Sequence, residues 1–189
     1  MIYEKIHAVR EYLELSSTQV ASLIKTNVYL YRKYESGSMD TPLETLIVLA
    51  IAYGILIDSF LSNDVCVTDI LKEPQIQQLH SVLIHERLSI MCQNICKQCS
   101  FPCRRVSYRV LSDIRNAYHI QLSTNLISIR EAKGAKIAMV AEALNISEEE
   151  YESIEKGITF PPTAKILALA ECFKVNLQSV MGKTYKDSK

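Results

Sequence analysis

Four cysteines stand close together at 92, 96, 99 and 103, in the spacing C-x3-C-x2-C-x3-C. Thiolates this near one another could ligate zinc or an iron–sulfur cluster. The same positions have a second reading. Residues 92, 96 and 99 are i, i+4 and i+7, the core face of a helix, where Cys buries readily as a small hydrophobe. Structural zinc sites usually join two separated Cys pairs, and a regular helix spreads these sulfurs too far apart. The expectation is therefore packed or redox-responsive thiols, with a zinc or iron–sulfur site on Cys92, Cys96, Cys99 and Cys103 as the alternative. His80 and His85 are five residues apart, point differently on a helix, and read as surface histidines.

Two other clusters carry charge. One is the run Val28-Tyr29-Leu30-Tyr31-Arg32-Lys33; the other is Glu148-Glu149-Glu150-Tyr151-Glu152. Arg104, Arg105 and Arg109 form a third, small basic group, of which Arg105 and Arg109 share a helix face. No Gly-rich phosphate loop, no nucleophile with a placed base and no paired-carboxylate pocket can be identified, so the chain does not read as an enzyme. Lys plus Arg equals Asp plus Glu at 21 each, which argues against coating nucleic acid by bulk attraction. A nucleic-acid reader of this composition must work through a few well-placed side chains.

The elements that position these residues repeat. Under a shift of 120 positions, the separation of Glu35 and Glu155, Arg10-Glu11 falls on Arg130-Glu131 and Val20-Ala21 on Val140-Ala141. Tyr31 then falls on Tyr151, Gly37 on Gly157, Pro42 on Pro162 and Leu49-Ala50 on Leu169-Ala170. A gapless match over such a length implies one small fold used twice. Apolar residues make up 48% of the chain and Gly and Pro are scarce, which suits a helical globular protein.

In the first copy, Ile2, Ile6, Val9 and Leu13 recur at helical spacing. Ser17 or Thr18 is placed to cap a second helix through Ile24, and Asn27 a third from Val28 to Ser36. Gly37 sits where a helix end needs a left-handed residue. Thr41-Pro42-Leu43-Glu44 reads as a capping box with Pro at the first helical position, opening a fourth helix whose face is Leu46, Leu49, Ala50 and Tyr53. A short fifth helix is expected around Asp58 to Leu61. In the middle, Leu79, Leu83, Ile84, Leu88, Met91, Cys92, Ile95 and Cys99 read as one amphipathic helix broken by Pro102. Val106, Val110, Leu111, Ile114 and Tyr118 read as another, leading into the second copy.

Two short helices joined by a tight turn, within five helices carrying Val20-Ala21, Tyr34-Glu35-Ser36-Gly37 and Thr41-Pro42-Leu43-Glu44-Thr45-Leu46, resemble the lambda-repressor-like (XRE/Cro type) DNA-binding domain. The resemblance covers residues 2–61 and again 122–181. It implies an all-α chain of two five-helix helix-turn-helix domains: an N-terminal domain over 1–62, a helical connector with the cysteines over 63–121, a degenerate C-terminal domain over 122–183, and a tail at 184–189. It also implies structural ion pairs between Arg10 and Glu35 and between Arg130 and Glu155. By the same resemblance the third helix enters the major groove, making Ser17, Val28, Tyr29, Arg32 and Lys33 the candidate DNA contacts. Ser17 stands where the family usually has Gln.

The second copy departs at its third helix, where Glu148 replaces Val28, Glu149 replaces Tyr29 and Glu152 replaces Arg32. Carboxylates facing phosphates repel DNA. Ser147 with Glu150 forms a capping-box pattern that accounts for part of the acidity. The remaining expectations are dimerisation or intramolecular packing through this copy, or capture of a basic protein partner by Glu148, Glu149 and Glu152. The whole reads as a DNA-binding transcriptional regulator, by resemblance a repressor acting as a homodimer on double-stranded DNA. The alternative is an antirepressor or inhibitor that binds protein, and a third option is a metal or redox sensor. No apolar run spans a bilayer, and Met1 to Lys5 lacks a signal-peptide pattern, so a cytoplasmic protein without membrane contact is expected.

Overall fold

The structure, a computed structural model, describes residues 1–99 and 103–182; Pro102 and the tail at 184–189 lie outside the described residues. Among the described residues every regular element is a helix, α1 to α13, so the chain is all-α. No helix among them is long and apolar enough to cross a membrane. The chain divides into two compact units, the first from Met1 to Ile114 and the second from Arg115 to Lys183.

The first unit holds α1 (Ile2–Tyr12), α2 (Ser17–Leu23), α3 (Val28–Glu35), α4 (Leu43–Tyr53) and α5 (Asp58–Leu61), followed by α6 (Val67–Leu71), α7 (Pro74–Ser81) and α8 (Ile84–Cys96). Ile6, Val9, Leu13, Val20, Tyr31, Leu46, Leu49 and Phe60 are wholly enclosed, as their helical spacing requires. Cap chemistry sets the helix starts. Asn27 Oδ1 accepts from the Tyr29 N–H at 2.7 Å and opens α3. At α2 the cap is Ser16, not Ser17 or Thr18. Ser16 Oγ accepts from Gln19 N–H at 3.2 Å while Gln19 Oε1 accepts from Ser16 N–H at 2.8 Å, a reciprocal box one residue upstream of the expected one. At α4 the expected capping box gives way to Pro42 in the N-cap place, without a side-chain cap, and Glu44 lies in the first turn. Gly37 follows α3 at φ +70°, and a Cβ there would stand 2.8 Å from the Tyr3 ring. Both backbone and space demand glycine.

The first unit extends well past residue 62 because α6, α7 and α8 pack onto the first five helices. Every residue of α4 except Glu44 is buried, against only one face in the sequence reading, because α8 lies along α4. Met91 and Ile95 of α8 are fully buried, and Asn94 Nδ2 donates to the Ala52 carbonyl at 3.0 Å. Lys5, also buried, donates from Nζ to the carbonyls of Ser59 (3.1 Å), Phe60 (3.3 Å) and Ser62 (2.6 Å), closing the end of α5. Burial lowers its pKa below the ordinary lysine value.

The single long helix expected over the cysteine-bearing stripe is two helices. α7 ends at Ser81 and α8 starts at Ile84, leaving Leu83 and Ile84 exposed rather than in the core. Arg87 explains the break. Its buried guanidinium donates to the carbonyls of His80 (2.8 Å), Val82 (2.8 Å) and Leu13 (2.6 Å) and to Glu14 Oε2 (3.1 Å). One side chain thus satisfies carbonyls that the ends of α1 and α7 leave without helical partners.

The second unit begins within α9 (Tyr108–Ala132), one continuous helix where two had been expected. It continues with α10 (Ile137–Leu144), α11 (Glu148–Glu155), α12 (Thr163–Phe173) and α13 (Leu177–Met181). The bounds of α11 and α12 are those of α3 and α4 shifted by 120 positions, so the sequence repeat is also a repeat of elements. Leu126, Val140, Tyr151, Ile154, Ile166, Leu169 and Val180 form its core.

Replacing Arg87 by Ala strands the carbonyls it serves, and is expected to cost about 2–4 kcal/mol of stability in urea unfolding. Exposed Arg109→Ala serves as control and should stay within about 0.5 kcal/mol.

Candidate nucleic-acid interface

The turn before α3 is set by Lys25, which sits at φ 55°, and by Thr26 N–H donating to the Ala21 carbonyl at 2.9 Å. From there α3 turns Tyr31, Tyr34 and Glu35 inward. Tyr29, Arg32, Lys33 and Ser36 follow at i, i+3, i+4 and i+7 and share the opposite face. Tyr29 and Arg32 are exposed, and Val28 and Lys33 are half-buried. Lys33 Nζ lies 4.6 Å from the centroid of the Tyr29 ring, a cation–π contact that orders both side chains on the surface. Among the described residues Arg32 has no acidic partner, so its guanidinium is presented to solvent. Four of the five residues expected from sequence thus line one surface.

Ser17 does not. Its hydroxyl donates to Glu35 Oε2 at 3.0 Å, so it positions α3 rather than facing outward. Glu35 Oε1 accepts from Arg10 Nε at 2.5 Å, and both side chains are buried. Arg10 spends its other donors on the Leu15 carbonyl (2.7 Å) and on Glu11 (2.6 Å). The second oxygen of Glu35 therefore needs another donor, and Ser17 supplies it. Tyr31 and Tyr53 lie close by, and burial pushes both phenols well above the ordinary tyrosine range. On the outer side, His7, Arg10, Arg32, Glu35 and Ser36 line a shallow cleft of about 400 Å³. His7, which the sequence reading did not single out, stands 3.3 Å from Arg10 Nη2 and 3.9 Å from Glu35 Oε1. Its place one turn before Arg10 was the available signal.

The second unit repeats the pair and solves the same problem differently. Ile137 occupies the place of Ser17 and offers no donor. Arg130 instead grips Glu155 with two bonds, Nε to Oε1 at 2.6 Å and Nη2 to Oε2 at 3.0 Å. The outward face of α11 carries Glu148, Glu149 and Glu150, all exposed, and half-exposed Glu152, which pairs with Lys156 at 2.6 Å. Ser147 Oγ accepts from Glu150 N–H at 3.1 Å. Its own backbone N–H, and after it the Ser147 hydroxyl, hold the Glu149 carboxyl below its ordinary pKa. Two apolar side chains that the sequence reading did not single out, Met139 and Ile158, are 61% and 68% exposed.

The basic group Arg104, Arg105 and Arg109 is exposed throughout. His80 stacks on Tyr12 at 4.4 Å between ring centroids, and His85 is exposed. All six cysteines are free, and among the described residues no group of three or more His, Cys, Asp or Glu side chains is arranged to hold a metal ion. Compared with known protein families, curated proteins and solved structures, the chain matches none.

Glu35→Gln takes from Arg10 its buried counter-ion and leaves it only exposed Glu11, and is expected to destabilise the first unit by about 2–4 kcal/mol. Ser17→Ala removes one hydrogen bond to a charged group and should cost about 1.5–3 kcal/mol. Urea unfolding of the full chain, followed by amide exchange in α3, reads both.

Proposed function

We propose that the chain is a sequence-specific DNA-binding transcriptional regulator, a lambda-repressor-like repressor that binds double-stranded DNA as a homodimer and reads it with α3 of the first unit. The observation that carries this reading is the outward face of α3, where a free guanidinium, an ammonium and a phenol stand together on a helix held rigidly from behind. A single helix fits the major groove, where Arg32 can make paired hydrogen bonds to guanine O6 and N7. Lys33 and Tyr29 suit phosphate oxygens and fix register, and Val28 suits a thymine methyl. Zero net charge fits a protein that relies on these few contacts.

The second unit keeps the scaffold and presents carboxylates at the equivalent face, which disfavours DNA there. Its exposed Met139 and Ile158 favour a role in pairing two chains, in line with the two-fold operators that helix-turn-helix dimers read. Capture of a basic protein by Glu148, Glu149 and Glu152 is the competing role for this surface.

Selection of bound fragments from a random duplex library tests the proposal. Wild type should enrich a palindromic site. On that site Arg32→Ala should cost about 1–3 kcal/mol and relax preference at one base position, while Lys33→Ala weakens all sequences alike and lowers the salt slope by about one. No enrichment by the folded wild type would refute it.

A further inference from the structure

The thiols of Cys92, Cys96, Cys99 and Cys103 gather at the end of α8, and their arrangement is not that of core filling. Met91 and Ile95, on the same helix, are fully buried, whereas each of the four cysteines is only half-buried. A thiol serving as a small hydrophobe would be enclosed like its neighbours. Cys103 Sγ lies 3.4 Å from Cys99 Sγ and 3.5 Å from the Cys96 carbonyl oxygen. Burial, and after it the neighbouring thiols of Cys103 and Cys92, push the Cys96 thiol well above the ordinary range.

We propose that Cys99 and Cys103 are an oxidative modification site at which a peroxide forms a reversible disulfide that alters the packing of α2. One thiolate attacks a peroxide oxygen and the O–O bond breaks. The sulfur becomes a sulfenic acid, and the released hydroxide takes up the thiol proton as water. The second thiol then attacks that sulfur. The S–S bond forms, the S–O bond breaks, and the hydroxyl leaves with the second thiol's proton as another water. In sum, two thiols and one hydrogen peroxide give one disulfide and two waters. Burial and the contact with Cys103 push Cys99 up to about 11, which keeps it a thiol at neutral pH.

A bond of about 2.05 Å must replace the present 3.4 Å separation, so the two sulfurs close by more than about 1 Å and draw Cys103 toward Cys99. Two residues on, Arg105 and buried Val106 line a cavity of about 280 Å³ together with Cys92 of α8 and with Ser22, Leu23 and Lys25 of α2 and its turn. Movement at Cys103 therefore reaches the helix that precedes α3. That this would change DNA binding rests on the function proposed above; the disulfide and its effect on α2 do not.

The test treats the full reduced chain with hydrogen peroxide, alkylates it, and maps peptides by mass, with amide exchange over residues 17–23 read before and after. The expected results are loss of two hydrogens per chain, a peptide pair linking Cys99 to Cys103, altered exchange in α2, and reversal by dithiothreitol. Cys103→Ser should abolish all of these, while Cys66→Ser with Cys172→Ser should abolish none. Pairing of other cysteines, or over-oxidation without any disulfide, overturns the site. A Cys99–Cys103 disulfide with unchanged α2 exchange overturns the coupling. Affinity for a selected duplex should differ between the two forms on the order of tenfold. A chain that binds no duplex in either form sinks the DNA-reading proposal while the mass and exchange results still decide this one.

Discussion

An arginine paired with a buried glutamate ties the first helix of each unit to its third, and the orientation of everything on the third helix follows from it. Glu35 is locked by Arg10 and Ser17, and Glu155 by the two-pronged grip of Arg130. A charge so placed cannot be left without its partner except at a cost of several kcal/mol, so rotation of α3 or α11 about its axis is closed off. With Glu35 pinned inward, Tyr31 and Tyr34 are carried into the core and Tyr29, Arg32 and Lys33 are carried to the other face. The pair therefore defines a surface without forming part of it.

That separation lets the two copies diverge. The core positions under the third helices are alike, Tyr31 with Tyr151 and Glu35 with Glu155, while the outward positions exchange a basic and aromatic set for carboxylates. Folding energy comes from the shared interior, and changes of charge outside it are nearly neutral for stability. Glu152 with Lys156, an exposed i,i+4 pair, shows how the acidic face is accommodated locally at little consequence for the fold. What differs between the units is thus which charge a nearby polyanion would meet.

The sequence displayed this frame where local chemistry dictates it. The repeat, the Asn27 cap and the left-handed Gly37 follow from periodicity and turn chemistry. It concealed what depends on distant partners. Leu79, Leu83, Ile84 and Leu88 satisfy one helical period, and only the interruption of that stripe by Arg87, whose partners include Leu13 some seventy positions away, explains the break at Val82. Ser16 and Ser17 are equally good caps by type; the choice between them is made by Glu35, which claims Ser17 for its second oxygen. The extension of the first unit to Ile114 likewise depends on α8 covering the far face of α4, which an all-round apolar helix at Leu43–Tyr53 could have signalled. At the candidate interface, Tyr29, Arg32 and Lys33 were singled out by the resemblance to helix-turn-helix domains, whereas His7 belongs to the cleft only through tertiary packing.

The central claim, that the fold holds α3 and the outward side chains decide what it binds, is met most directly by a graft. Val28→Glu, Tyr29→Glu and Arg32→Glu together give α3 the outward residues of α11 and leave Arg10, Ser17 and Glu35 in place. Thermal unfolding and duplex binding by fluorescence anisotropy are then measured on the same preparation. The account predicts a folded chain with a cooperative transition close to that of the wild type and no measurable binding to the selected duplex. Binding that survives the graft in a folded protein would contradict it.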